Sequence, residues 1–237
     1  MEALDLRLTS NKKYRFERKY LINRDDAYVL AQRVSRVMRP DSSHPDGRYH
    51  ISSLYFDDMY NTSLYEKLSG VVERDKFRVR FYNGNQGFMR LERKHKRGEY
   101  IFKESETVTQ EQFQMMCHSE YQFMRQGVGE EGVFNEFYAS HTLKRMRPSV
   151  MVDYNREAYM YRAGNVRITF DSDVSASMMF EKHSKSVLPH SNVILEVKYN
   201  NFLPSVINGL LTGITSSQQL AISKFVMAKL GLQGRTL

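Results

Sequence analysis

Tryptophan is absent from the 237 residues, and cysteine occurs once, at Cys117. One thiol excludes an intrachain disulfide and any cysteine-based metal cage, and it fits a reducing compartment. No apolar run approaches the roughly 18 residues of a membrane span. The first residues, with acids at Glu2 and Asp5, lack the apolar stretch of a signal peptide. These absences predict a cytoplasmic chain without a membrane span. There is no internal repeat, low-complexity stretch or interdomain linker, so 1–237 reads as one domain. What is plentiful is positive charge. Lys and Arg number 35 against 27 Asp and Glu, a formal charge of +8, which favours an anionic partner.

Alternation of apolar and polar residues predicts eight strands. The first covers 14–22, with Tyr14, Phe16, Tyr20 and Ile22 on one face and Arg15, Glu17 and Lys19 on the other; Arg18 intrudes on the apolar side. The others fall at 48–56, 76–82, 88–95, 99–107, 150–160, 166–171 and 192–199. Tight turns at Lys96-Arg97-Gly98 and Ala163-Gly164-Asn165 join the fourth strand to the fifth and the sixth to the seventh. Apolar residues at helical spacing predict helices over about 25–38, 110–126 and 133–145. A last helical segment, about 204–230, is broken near Gly213.

The polar faces of these strands are cationic. Lys76, Arg78 and Arg80 alternate with Phe77, Val79 and Phe81, and Arg90, Glu92 and Lys94 with Met89 and Leu91. Tyr154 shares a face with Arg156; Arg167, Thr169 and Asp171 share another; Glu196 and Lys198 lie opposite Leu195 and Val197. Any one of these residues, taken singly, reads as a solvated surface charge, and cross-strand Glu–Lys pairs stabilise ordinary sheets. Recurrence on five strands, always opposite apolar neighbours, is what a plain surface explains badly. An α+β fold accounts for it: an eight-stranded antiparallel β-barrel, or tunnel, with charged faces inward and helices over the apolar outside. A dry lumen of unpaired cations costs several kcal/mol per ion. A wet lumen that receives a polyanion does not. Arg matches phosphate oxygens through its planar fork, Lys acts as a point charge, and a few carboxylates can share a divalent metal with phosphates.

Eight stretches carry a family resemblance: FERKYLI (16–22), SSLYFDD (52–58), KFRVRFYNG (76–84), RLERKHKRGEY (90–100), VDYNREAYM (152–160), VRITFDSD (166–173), LEVKY (195–199) and ISKF (222–225). Each is weakly specific alone; together, in order, they resemble the polyphosphate-polymerase domain of the vacuolar transporter chaperone (VTC) family, among the triphosphate tunnel metalloenzymes. The resemblance implies a tunnel that binds ATP and polyphosphate. It implies phosphate contacts from Lys19, Arg78, Arg80, Lys94, Arg156, Arg167 and Lys198, with Lys67 and Lys103 as further ones. It places Tyr154 near the nucleotide, gives Glu196 the metal (manganese or magnesium), and brings Lys224 and Ser223 to the phosphates from the C-terminal helix. Lys224, Arg78, Arg80 and Lys94 are then the catalytic set. Without the resemblance, Lys224 reads as a helix-surface lysine. The regulatory domain and membrane segment of the eukaryotic members are not seen in this sequence, which leaves a membrane protein as a partner only.

Three functions follow. The first is polyphosphate polymerase, moving the terminal phosphoryl of ATP to a polyphosphate chain and releasing ADP. The second is a triphosphatase or nucleotide cyclase of the same superfamily. Those branches place Glu-x-Glu-x-Lys on the first strand, where this chain has Arg15-Phe16-Glu17-Arg18-Lys19, one carboxylate fewer. The third is a binding module for polyphosphate or RNA. Without Trp, and with strand aromatics on the apolar side, base stacking is poorly served, so nucleic acid is not expected. The oligomeric state is not legible.

Overall fold

Strands form where alternation is strict, and several run longer than the clearest part of their pattern. The computed structural model describes residues 16–235, apart from 43, 45, 99, 128–131, 180, 182 and 215. Tyr14, Arg15 and the predicted start of the fifth strand at 99 therefore lie outside the described residues. In chain order the elements are β1 (Phe16–Asn23), α1 (Arg24–Val37), β2 (Arg39–Pro40), β3 (Arg48–Asp57), α2 (Thr62–Leu68), β4 (Glu73–Tyr82), β5 (Asn85–Arg97), β6 (Tyr100–Val108), α3 (Gln110–Cys117), α4 (Val133–Lys144), β7 (Arg147–Tyr161), β8 (Val166–Ser177), β9 (Lys185–Ser186), β10 (Asn192–Tyr199), α5 (Ser205–Leu211), β11 (Gln218–Gln219) and α6 (Lys224–Leu232). The helix predicted over 110–126 stops at Cys117, because Ser119 takes a left-handed φ of 63°; a 3₁₀ turn, Gln122–Gly127, follows. The turn between β7 and β8 needs Gly164, whose φ is +70° and whose missing Cβ would stand 2.7 Å from the Phe202 carbonyl oxygen.

All strands lie in one antiparallel sheet, in the order β11-β1-β10-β8-β7-β3-β4-β5-β6, with β2 and β9 added on β7 and β8. The expected barrel is not closed. Among the described residues no main-chain ladder joins β6 to β1. Long side chains cross the seam instead: Lys94 Nζ of β5 lies 3.4 Å from the Glu17 carboxylate of β1. The architecture is α+β, a large curled antiparallel sheet with six helices.

Two cores lie on the convex face, as the alternation predicts. Over β3 to β6, helices α3 and α4 bury Phe113, Met116 and Phe137 against Phe56, Phe77, Val79 and Leu91. Over β1, β10 and β8, helices α1 and α5 bury Leu30, Val34 and Ile207 against Ile168, Leu195 and Val197. Helix α1 starts cleanly: the Asn23 side chain accepts from the Asp26 amide at 2.6 Å, and Asp25 and Asp26 occupy its first turn. The third core was not expected. Register puts Ile51, Val150, Val152 and Ile194 on the same face as the charged rows, and α6 packs there with Phe225, Val226 and Ala228. The concave face is thus part apolar and plugged by a helix, and part charged and open. No helix among the described residues is long and apolar enough to cross a membrane.

Phe137 is fully buried, edge-on to Phe56, Phe77 and Tyr121 at 5.0–5.2 Å between ring centres, and far from the charged face. Phe137→Ala is expected to cost about 3–5 kcal/mol, read as a lower urea midpoint with an unchanged slope.

Candidate functional site

The β4–β5 hairpin places cations in rungs. Directly paired residues on its concave side are Arg74 with Lys96, Lys76 with Lys94, and Arg78 with Glu92. Directly opposed residues share a face, so these side chains, with Arg80 beyond them, point one way. Strand β4 begins at Glu73, three residues before its predicted start, and this adds Arg74 to the row. The open part of the concave face is a cavity of about 430 Å³. Twelve of its lining residues are Lys or Arg and three are Glu, a fourfold excess of cations; none of them is His.

Eleven of the residues singled out from the sequence meet there: Lys19, Lys67, Arg78, Arg80, Lys94, Tyr154, Arg156, Glu196, Lys198, Ser223 and Lys224. Lys103 sits one step behind the wall, its Nζ on Glu92. Arg167 does not join them. It lies opposite Lys198 on β8, but its guanidinium turns to Asp41 at 2.6 Å and to the Tyr49 hydroxyl at 2.7 Å. Tyr154 lines the cavity at 2% exposure. Its hydroxyl accepts from Arg80 at 3.0 Å, and Arg156 and Lys224 lie over its ring at 5.3 and 4.6 Å. It is a post for three cations.

Carboxylates hold the inner cations in place. Arg78 donates to Glu92 through Nε at 2.7 Å and Nη2 at 2.6 Å, and to the Tyr55 hydroxyl at 2.9 Å. Burial alone raises the Glu92 carboxyl, but Arg78, Arg80 and Lys103 outweigh it and keep the group well below the usual carboxylate range. Asp171, fully buried, takes Arg156 in a fork at 2.6 and 2.8 Å and receives Lys224 Nζ at 2.5 Å. Burial of Asp171 is likewise outweighed, by Arg156 and Lys224, and its pKa falls to about 2. The sequence-based choice of site residues left out Arg74, Lys76, Lys96, Glu17 and Glu92, which line the cavity, and Asp171, which braces it. Strand alternation is the signal that finds Lys76, Glu17, Glu92 and Asp171; Arg74 and Lys96 lie beyond the predicted strand ends.

The donor set also bears on a divalent metal. The described residues hold no cluster of three carboxylate, His or Cys ligands. Glu17 and Glu196, however, converge on one ammonium, Lys19 Nζ, at 3.0 and 3.7 Å. An ion that shares phosphate oxygens needs only one or two protein carboxylates, so this pair fits such an ion, and a three-ligand protein cage does not.

Residues 14–231 match the VTC domain model, and the chain belongs to that family. Solved structures share the fold at low sequence identity. A suggested adenylate cyclase from Bacillus halodurans superposes with a TM-score of 0.54 at 10% identity, covering 90% of this chain and 96% of the neighbour. At that identity the likeness is one of fold. A Pyrococcus horikoshii protein covers 93% of this chain and 100% of itself at 13% identity and a TM-score of 0.46. No curated protein matches the sequence.

Two predictions follow from the electrostatics. Asp171→Ala leaves Arg156 and Lys224 buried without their anion, at a cost of about 3–5 kcal/mol in unfolding free energy. The second is a proton balance. Burial, with Lys67, Arg74, Lys94 and Lys19 around it, pushes Lys76 down to about 7; burial does the same to Lys94 and Lys103, to about 8. A bound polyanion favours the charged form of each and raises its pKa. Binding of tripolyphosphate near pH 8 therefore takes up protons. Calorimetry in two buffers of different ionisation enthalpy checks this, and an enthalpy independent of buffer contradicts it.

Proposed function

We propose that the protein is a polyphosphate polymerase that transfers the terminal phosphoryl of ATP to a polyphosphate chain. The observation that carries this reading is the cavity itself: a fourfold excess of cations over carboxylates around one concavity, in a member of the VTC domain family. In the reaction a terminal oxygen of the polyphosphate attacks the γ-phosphorus of ATP. The bond from that phosphorus to the β–γ bridging oxygen breaks, and its electron pair leaves with ADP. The attacking oxygen is already anionic, so no general base is needed, in keeping with the absence of His from the lining residues. The protein's work is alignment and charge stabilisation. Arg78 and Arg80 are pre-aimed by Glu92, Tyr55, Ser53 and Tyr154. Lys224 is aimed by Asp171. Lys19, Lys94, Arg156 and Lys198 complete the phosphate contacts, with Lys67, Ser223 and, behind the wall, Lys103. Arg167 would reach phosphate only by leaving Asp41. Glu196 and Glu17 would hold a manganese or magnesium ion with the phosphates. When bound, that ion neutralises charge on the transferred group.

The decisive experiment incubates purified protein with ATP and manganese or magnesium and follows ADP and polymer. Both are expected. Orthophosphate without polymer indicates a triphosphatase instead, and binding without turnover a binding module. Arg78→Ala and Arg80→Ala should each slow turnover roughly 10²–10³-fold, as loss of a transition-state contact does. Lys224→Ala should lower turnover more than binding, and Glu196→Gln should weaken the metal dependence. Arg97→Ala, an exposed side chain at the end of β5, should change little. Near-normal turnover in the Arg78→Ala, Arg80→Ala double variant removes the tunnel mechanism.

A further inference from the structure

The row of rungs on the β4–β5 hairpin changes character along its length. At the inner rung Arg78 is locked to Glu92, and beyond it Arg80 is held by Ser53 and Tyr154. At the middle rung Lys94 has Glu17 at 3.4 Å, while Lys76 has, among the described residues, the Ser223 hydroxyl at 3.3 Å and the Phe225 ring at 4.8 Å and no carboxylate. At the outer rung Arg74 donates to the Val71 carbonyl oxygen, and neither it nor Lys96 meets a carboxylate among the described residues. Lys67, at the end of α2, adds a fourth cation to the same end of the cavity, again without a carboxylate among the described residues.

We propose that Lys67, Arg74, Lys76 and Lys96 form a separate subsite for the outer phosphates of a long polyphosphate chain, so that this end of the cavity reads chain length. The proposal rests on the polyphosphate reading above and adds to it a division of labour within the cavity.

Four physical points support the division. Rungs on one face of a strand are two residues, roughly 6.4–6.8 Å, apart. The row from the inner to the outer rung is thus a track of about 13–14 Å. An unpaired cation has no internal partner to give up when an anion arrives, whereas an inner one must share or release its carboxylate. Burial, with Lys67, Arg74, Lys94 and Lys19 crowded around it, holds the Lys76 ammonium below the usual lysine range. Arg74 spends only one of its five donors on the main chain, leaving a fork for phosphate.

The test compares the affinity of tripolyphosphate with that of a long-chain polyphosphate, by titration calorimetry, in wild type and in Arg74→Ala with Lys96→Ala. The ratio of the two affinities is the quantity read, because the statistical advantage of a long chain is the same for each protein. That ratio is expected to fall about tenfold in the double variant, or about 1.4 kcal/mol, while tripolyphosphate affinity stays within about threefold. Retained tripolyphosphate binding also reports a folded cavity. Arg74→Gln with Lys96→Gln, which keeps side-chain length, is the second variant. Equal losses for both ligands, in a variant that melts as wild type does, overturn the subsite, and so does an unchanged ratio. If wild type shows the chain-length preference and the variants lose it, yet ATP yields no polymer, the polymerase proposal fails and the subsite stands. If wild type binds neither chain, both fall.

Discussion

Repulsion among like charges is the constraint on which the rest of the structure depends. A dozen ammonium and guanidinium groups line one cavity, and a sheet would not hold them there unaided. Four carboxylates make the arrangement tolerable. Glu92 anchors the Arg78 side, Asp171 ties Arg156 to Lys224, and Glu17 and Glu196 bracket Lys19. Each links residues from different elements, so the ion pairs act as cross-braces across the curl as well as local neutralisers. Such pairs add little net stability once desolvation is counted. Their contribution is to set direction, since every anchored cation is held where an anionic ligand would meet it.

The apolar face of the same strands supplies the stability that the charged face does not. Phe77, Val79 and Leu91 alternate with the cations and fill the core under α3 and α4. Burial of a large side chain of this kind contributes about 1.5–3 kcal/mol. Helix α6 carries both functions at once: Phe225 and Val226 seal the apolar end of the concavity, and Lys224 opens its charged end. Packing and electrostatics therefore meet at a single turn of helix.

Much of this was legible in the sequence, for local reasons. Strand alternation has a period of two, and it located all eight long strands and most of the cavity wall. Arg74 escaped because Glu73 and Asp75 around it are polar and hide the alternation. The closure of the barrel was not legible: whether β1 and β6 meet depends on the curl of the whole sheet, and side chains such as Glu17 and Lys94 fill the seam. The last segment, read as helical over about 204–230, is helical only at Ser205–Leu211 and Lys224–Leu232, with β11 between them; the start of α6, Lys-Phe-Val-Met-Ala-Lys-Leu, has no one-sided apolar stripe to say which surface it would cover. Arg167 illustrates a different limit. Its partner Asp41 lies on a loop far away in sequence, and nothing near Arg167 announces it.

The β4–β5 hairpin has a consequence for how such a protein can vary. Because side chains alternate strictly, a shift of register by one residue exchanges the two faces. Arg74, Lys76, Arg78 and Arg80 would then be pressed under α3 and α4, and Phe77, Val79 and Phe81 would fill the cavity. One inserted or deleted residue in the regular part of either strand thus removes the core and the charged face together. Substitutions can retune the cavity one charge at a time, but length changes in this hairpin are all-or-none. Insertions are therefore best placed at the turn end of the hairpin, where the register already shifts between Arg80 and Tyr82 and Asn83 and Gly84 take left-handed backbone angles of 51° and 69°.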